Sequence, residues 1–167
     1  MSALPSAIAR VGVIGAGQMG LGIAYVSALH AKAQVFLYDA SPAAMDKGVA
    51  MFDSLLKKDV GKSKITQKEA DEAKARLSVI KGGLSALGDR ASSPQMIIEA
   101  ATENLRVKQD IFKTLANSVP IETILATNTS SISISKIAAS AVRNQLAGRD
   151  DESAARVSLS RVGYDGL

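Results

Sequence analysis

The sequence predicts an α/β domain built on a mainly parallel sheet. Two observations lead there. Short apolar runs alternate with longer segments of helical period, and a glycine-rich turn joins the first run to the first helix. The chain of 167 residues is long enough for one ordinary domain with a sizeable core. Its 47% apolar and 22% charged residues give the balance of a globular chain rather than a disordered one.

Taken in order, Val11, Val13 and Ile14 form a β-branched strand ending at Gly15, and a helix follows from about Gln18 to Leu29. Val35 to Tyr38 is a continuous apolar run, as expected for a strand buried on both faces. Ser41-Pro42 opens a helix, with proline in the first turn where its missing N–H costs nothing. Met45, Val49, Phe52 and Leu56 recur at spacings of four, three and four, and line one face of that helix. Gly61 ends it. Thr66 and Glu69 read as a capping box for the next helix, with Glu72 and Arg76 as an i,i+4 pair, so residues 42–76 form a helical hairpin.

Leu77 to Ile80 and Met96 to Ile98 read as two further strands. A helix from about Asn104 is stopped by Pro120, Ile124 to Thr127 is a fifth strand, and Ile132 to Val142 a final helix. Strands alternating with helices imply right-handed crossovers between parallel neighbours. Residues 143–154 are polar and without period, an exposed loop. Val157, Leu159 and Val162 are left for one more strand, so the domain is expected over residues 1–157 and a divergent tail over 158–167.

Composition excludes several functions. A net charge of +4 is mild and scattered, and three Phe, three Tyr and no Trp offer little for stacking on bases, so nucleic acid is not an expected partner. Zero Cys removes disulfides, thiolate metal sites and cysteine nucleophiles, and fits a reducing compartment. A single histidine, His30, removes His-rich metal sites. No apolar run approaches the ~20 residues of a spanning helix. Met1 to Ala9 leave little room for a targeting peptide, so the expected location is cytoplasmic.

Gly15-Ala16-Gly17-Gln18-Met19-Gly20 follows a strand and opens a helix. Such glycines separately serve a tight turn, close backbone approach to a pyrophosphate, and close helix-on-strand packing, while the helix N-terminus offers unpaired N–H groups to phosphate. Asp39 ends the second strand, 19 residues beyond Gly20, where an acid would accept hydrogen bonds from a ribose. Its alternative role is to stabilise the dipole of the helix that follows. Ala40-Ser41-Pro42 provide no cation for a 2′-phosphate, which favours NAD over NADP. The expected architecture is therefore a Rossmann-type doubly wound sheet carrying the 42–76 hairpin as an insertion.

Two further segments, Glu103-Asn104-Leu105-Arg106-Val107-Lys108-Gln109-Asp110-Ile111-Phe112 and Asn128-Thr129-Ser130-Ser131, join this turn in a more specific combination. Over residues 9–142 the chain resembles the NAD-binding domain of 3-hydroxyacyl-CoA dehydrogenases, including 3-hydroxybutyryl-CoA dehydrogenases. The resemblance implies oxidation of (S)-3-hydroxyacyl-CoA to 3-oxoacyl-CoA with NAD, a step of fatty-acid β-oxidation. It implies that Gly15, Gly17, Gln18, Met19, Gly20, Asp39 and Asn128 serve the cofactor, and that Glu103 and Lys108 contact its nicotinamide half. Ser130 would sit beside the nicotinamide and bind the substrate oxygen. Residue physics leaves Lys108 open. It shares a helical row with Leu105, Phe112 and Leu115, and either snorkels to solvent or is a paired, positioned charge beside Glu103. Thr129 or Ser130 is equally able to cap the next helix.

For the acyl-CoA substrate, Lys47, Ser54 and Lys58 share a helix face opposite the apolar stripe, with Lys57, Lys62, Lys64 and Lys68 nearby. By resemblance Ser54 and Lys62 hold the CoA nucleotide; the alternative is a solvated basic face. The family's catalytic histidine, in a segment reading His-Phe-Phe-Asn-Pro-Val after the sixth strand, has no counterpart here. Ser158 to Leu167 contain no histidine, and His30 lies between the first helix and the second strand. The resemblance also implies a helical C-terminal domain that completes the substrate cleft and the homodimer, and these 167 residues are expected to lack it. The expectation is a truncated or alternatively ended member, inactive alone. A non-catalytic dinucleotide-binding or interaction module, or another Rossmann dehydrogenase of the 3-hydroxyisobutyrate or 6-phosphogluconate type, are the alternatives. The resemblance implies the mitochondrial matrix as the alternative location. Ser133-Ile134-Ser135-Lys136, the sequon at Asn128 and the acidic run Asp150-Asp151-Glu152 are read as chance or solvated patterns.

Overall fold

The computed structural model describes residues 8–89 and 93–141. Five strands, β1 (Arg10–Ile14), β2 (Gln34–Tyr38), β3 (Leu77–Val79), β4 (Met96–Glu99) and β5 (Ile124–Thr127), form one sheet in the order β3-β2-β1-β4-β5. Every neighbouring pair is parallel. The helices are α1 (Gln18–Leu29), α2 (Pro42–Gly61), α3 (Gln67–Ala75), α4 (Leu105–Ser118) and α5 (Ile134–Ala138). The doubly wound architecture expected from the sequence is the one observed, with α2 and α3 as the helical hairpin.

The two faces of the sheet bury separate clusters. Val11, Val13, Val35 and Leu37 pack with residues of α1, α2 and α3, including Leu21, Phe52, Leu56 and Ala73. Ile14, Ile97 and Leu125 pack with Phe112, Leu115 and Ile137 on the other face. The period-2 alternation of β1 and β2 thus serves two cores at once. Tyr25 of α1 meets Phe52 of α2 edge to face at 5.9 Å, and its hydroxyl donates to Asp59 at 2.6 Å. That contact fastens the hairpin to the first helix. The expected capping box is present, with Thr66 accepting from the Glu69 N–H and Glu69 from the Thr66 N–H.

Differences from expectation are small and physical. The fourth strand runs on to Glu99, and the last helix begins at Ile134, two residues late, before tightening into a 3-10 turn over Ala139–Ala141. A 3-10 turn over Leu84–Gly88 was not anticipated. It buries Leu87 and seats Gly88 so close to α4 that an added Cβ would lie 2.0 Å from the Ser118 carbonyl oxygen. Val142, the expected loop at 143–154, the strand expected from Val157, Leu159 and Val162, and the 158–167 tail lie outside the described residues.

Strand order reverses between β1 and β4, because the chain leaves β1 toward β2 and β3 and returns to β4 on the far side. Loops at the carboxyl ends of these strands diverge there and leave a crevice. The glycine turn, Asp39, the Ala100–Asn104 loop and Asn128–Ser131 all sit at this edge. His30, at the C-cap of α1, belongs to the opposite edge.

Candidate dinucleotide and substrate site

The three glycines of the turn divide their work. Gly15 has φ +107°, and a Cβ there would lie 2.5 Å from the Ala100 carbonyl oxygen. A Cβ on Gly20 would lie 1.8 Å from the carbonyl oxygen of Gly15. Gly17 is different, with nothing within 4 Å of where its Cβ would stand. The first and third glycines therefore let the chain approach itself, and the middle one leaves open room for a ligand. That is the division a pyrophosphate cradle requires.

The N-terminus of α1 fits the same use. Ser41, Thr66 and Asn104 each cap α2, α3 and α4 by accepting a backbone N–H, but α1 begins at Gly17 with no side-chain cap and no acid in its first turn. Its first-turn N–H groups lack intrahelical partners and carry the positive end of the helix dipole. Asp39 is bound to this turn directly. One carboxylate oxygen accepts the Ala16 N–H at 2.9 Å and the other the Ser41 N–H at 2.8 Å. Each oxygen keeps a further lone pair. The acid therefore organises the turn and the start of α2 and still has acceptors for ribose hydroxyls.

A cavity of about 530 Å³ opens beside it. Gly15, Gly17 and Asp39 line one side, and Leu84, Val107 and Ile111 supply an apolar wall. Its other border, Ala100 to Thr102, is the loop that leads to Glu103. Gln18 and Met19 are exposed on α1 next to the glycines.

Beyond that loop lies a polar cluster. Glu103 is 42% exposed and accepts from the hydroxyls of Thr129 and Ser131, the latter at 2.7 Å, and from the Ser131 N–H at 3.3 Å. These bonds hold its carboxyl down at about 2, Thr129 contributing most and Ser131 next, with lesser help from the Lys108 ammonium. A carboxylate depressed in this way adds stability that is complete above its ordinary value near 4.5 and is lost as pH falls toward 2. Exposure keeps that contribution below about 1 kcal/mol. The stability gap between the parent and Glu103→Gln is expected to close between pH 4.5 and 2, and thermal unfolding scans across that range check it.

Lys108 does not snorkel. Its side chain is 0% exposed, and Nζ lies 2.8 and 2.9 Å from the two carboxylate oxygens of Glu99, itself 0% exposed, and 3.5 Å from Glu103. The apolar row placed the lysine inward, and a carboxylate waiting at the end of β4 made burial tolerable. Glu99 was missed by sequence reading. Its only local signal is an acid closing the apolar run Met96-Ile97-Ile98. Asn128 and Ser130 are exposed at the end of β5, and the Asn128 N–H donates to the Glu99 carbonyl at 2.6 Å. Thr129 and Ser131, more than Ser130, tie this loop to Glu103.

Ser54 and Lys62 occupy the hairpin, apart from both the cavity and this cluster. Ser54 is exposed on α2, with Lys47 and Lys58 on the same face, and Lys62 is the exposed C-cap of that helix. Lys64 nearby is partly neutralised by Asp59 at 3.7 Å. Among the described residues no cluster of His, Cys, Asp or Glu suits a metal ion, and no helix is long and apolar enough to cross a membrane.

Comparison with known proteins adds to this geometry. Residues 10–148 match the model of the 3-hydroxyacyl-CoA dehydrogenase NAD-binding domain. A 3-hydroxybutyryl-CoA dehydrogenase of Mycobacterium tuberculosis is 40% identical over 143 residues, which are 85% of this chain and 48% of that protein. The 3-hydroxyadipyl-CoA dehydrogenase of Escherichia coli is 40% identical over 132 residues, 79% of this chain and 26% of that one. The solved (S)-3-hydroxybutyryl-CoA dehydrogenase of Ralstonia eutropha superposes with a TM-score of 0.72 at 40% identity, over 80% of this chain and 45% of its own. The chain thus spans about half the length, or less, of the relatives it matches.

Proposed function

This chain belongs to the family of 3-hydroxyacyl-CoA dehydrogenase NAD-binding domains, and from that premise we propose that it supplies the cofactor half of an enzyme oxidising (S)-3-hydroxyacyl-CoA to 3-oxoacyl-CoA. The observation that carries this reading is the glycine turn, self-packed at Gly15 and Gly20 and open at Gly17, with Asp39 fastened to it. When bound, NAD supplies the hydride acceptor. The chain's own residues do the rest. The uncapped first turn of α1 receives the pyrophosphate between Gly17, Gln18 and Met19, and Asp39 accepts from the adenosine ribose. Leu84, Val107 and Ile111 shelter the adenine side. Glu103 and Asn128 border the nicotinamide half, and Lys108 stands behind Glu103. Ser130, exposed at the end of β5, holds the substrate oxygen. Ser54 and Lys62 meet the CoA nucleotide on the hairpin.

Proton removal from the hydroxyl needs a base near working pH, and imidazole is the usual one. The single histidine of the chain, His30, lies at the amino edge of the sheet, across the domain from Ser130. The 167 residues alone are therefore expected to bind NADH and to turn over acetoacetyl-CoA very slowly. Calorimetry with NADH and an absorbance assay with NADH plus acetoacetyl-CoA test both parts. Heat without turnover supports the reading. Absence of heat at millimolar NADH removes it, and turnover near that of complete relatives removes the account of the missing base.

A further inference from the structure

Asp59 occupies a position that helix electrostatics disfavours. It lies in the last turn of α2, where the carbonyl end of the helix dipole repels an acid, with Lys57, Lys58, Lys62 and Lys64 on either side of it in the chain. Two contacts hold it there. Its Oδ2 accepts the Tyr25 hydroxyl of α1 at 2.6 Å, and its Oδ1 lies 3.7 Å from Lys64 Nζ. The Tyr25 hydroxyl, and after it the charges of Lys64 and Lys62, keep the Asp59 carboxyl below its ordinary range despite partial burial. Tyr25 is itself pushed up to about 12, by burial first and then by Asp59, so the phenol stays a donor at neutral pH. The backbone closes the same corner. The Asp59 carbonyl accepts the Lys64 N–H at 3.0 Å, and Ser63 takes φ +54° in the turn between them.

A charge-assisted hydrogen bond between ammonium and carboxylate is about 2.8 Å long, so the 3.7 Å contact leaves Lys64 loosely engaged. Lys64 is 63% exposed, and Lys62 is exposed at the helix end. Both ammonium groups therefore keep donors for an anion. We infer that Tyr25 is a positioning residue for the CoA nucleotide: by holding Asp59 on α1 it keeps that carboxylate from closing on Lys62 and Lys64, and leaves their charge to the nucleotide's phosphates. The inference rests on the proposed placement of CoA on the hairpin. It adds a determinant on α1, the helix whose other end carries the glycine turn. Coulomb attraction supplies the signs. Loss of the hydroxyl frees Asp59 to neutralise the lysines, whereas loss of the Asp59 charge leaves them more positive. A strut that only fastened the hairpin would weaken binding in both cases.

The probe is adenosine 3′,5′-bisphosphate, which carries phosphates of the CoA nucleotide. It is titrated calorimetrically into the full chain with saturating NADH, so that the glycine turn is already occupied. Tyr25→Phe keeps the ring against Phe52 and removes only the donor. Asp59→Asn keeps an acceptor for Tyr25 and removes the charge. Tyr25→Phe is expected to weaken the bisphosphate about threefold and Asp59→Asn to tighten it about threefold, the scale of an exposed ion pair. Both changes are expected to shrink as salt rises. Two variants that move the same way, or neither moving, overturn the inference while the parent's own binding leaves the CoA placement standing. Asp59→Asn decides by itself if Tyr25→Phe fails to fold, since binding that is unchanged or weaker overturns the inference. If the parent takes up no bisphosphate at low salt, the placement of CoA on the hairpin fails and the inference with it.

Discussion

Replacing Lys108 with methionine is expected to lower the free energy of unfolding by about 3–5 kcal/mol, because it strands a buried carboxylate without its counter-charge. For a domain whose whole stability is about 5–15 kcal/mol, that is a large fraction. The size follows from geometry. Glu99 is 0% exposed, so water cannot replace the lost ammonium. Its bonds from the Ala101 N–H and the Thr127 hydroxyl remain, and they do not neutralise it. Adding Glu99→Gln to Lys108→Met removes the stranded charge and is expected to recover most of the loss. The recovery falls short of complete because the glutamine must now serve Thr127 and Ala101 with different donors and acceptors. Urea unfolding of the parent, the single variant and the double variant gives the three numbers. A single variant within about 1 kcal/mol of the parent would mean that the pair is not buried as described.

The glycine turn yields the second large effect, and it differs in kind between neighbouring positions. Gly15→Ala places a side chain at φ +107° and 2.5 Å from a backbone oxygen. Strain and overpacking together are expected to cost about 2–5 kcal/mol. Gly17→Ala meets neither obstacle. Its φ of −75° and ψ of −177° suit any residue, and nothing stands within 4 Å. Its stability is expected to stay within about 1 kcal/mol of the parent, a slightly poorer helix cap offsetting a stiffer unfolded chain. The methyl group nevertheless occupies the space where the backbone must approach a pyrophosphate. NADH affinity should fall at least about tenfold, or about 1.4 kcal/mol. Gly22→Ala, also in open space but within α1, is the control, expected to gain up to about 1 kcal/mol without affecting NADH. Calorimetry and thermal unfolding on the same samples separate the effects. A Gly17→Ala variant that binds NADH as the parent does would place the cofactor elsewhere.

Much of this was legible before any coordinates. β1, β2 and β5 lie within a residue of their expected bounds, because β-branched runs bounded by glycine, proline and acids have few alternatives. The caps at Ser41, Thr66 and Asn104 bind the N–H groups their types predict, since capping is decided within a few residues of chain. The glycine spacing and Asp39 also fall within one strand-turn-helix-strand unit, so their arrangement is largely local. The Leu84–Gly88 turn was not legible, because it exists only where α4 offers it a surface.

Primary structure alone determined the winding of this domain, the place of its glycine turn and the acid beside it, since each is set by periodicity or by contacts within one strand-turn-helix-strand unit. Tertiary structure decided which glycine faces open space, that Lys108 turns inward, and that Glu99 meets it. The helical row of Leu105, Lys108, Phe112 and Leu115 states only which side the lysine leaves from. Whether its charged end reaches water or a partner depends on a carboxylate at the end of the preceding strand, nine residues back along the chain. The loop between β4 and α4 decides that meeting by folding the helix back against the end of its own strand, a geometry that helical period alone does not record.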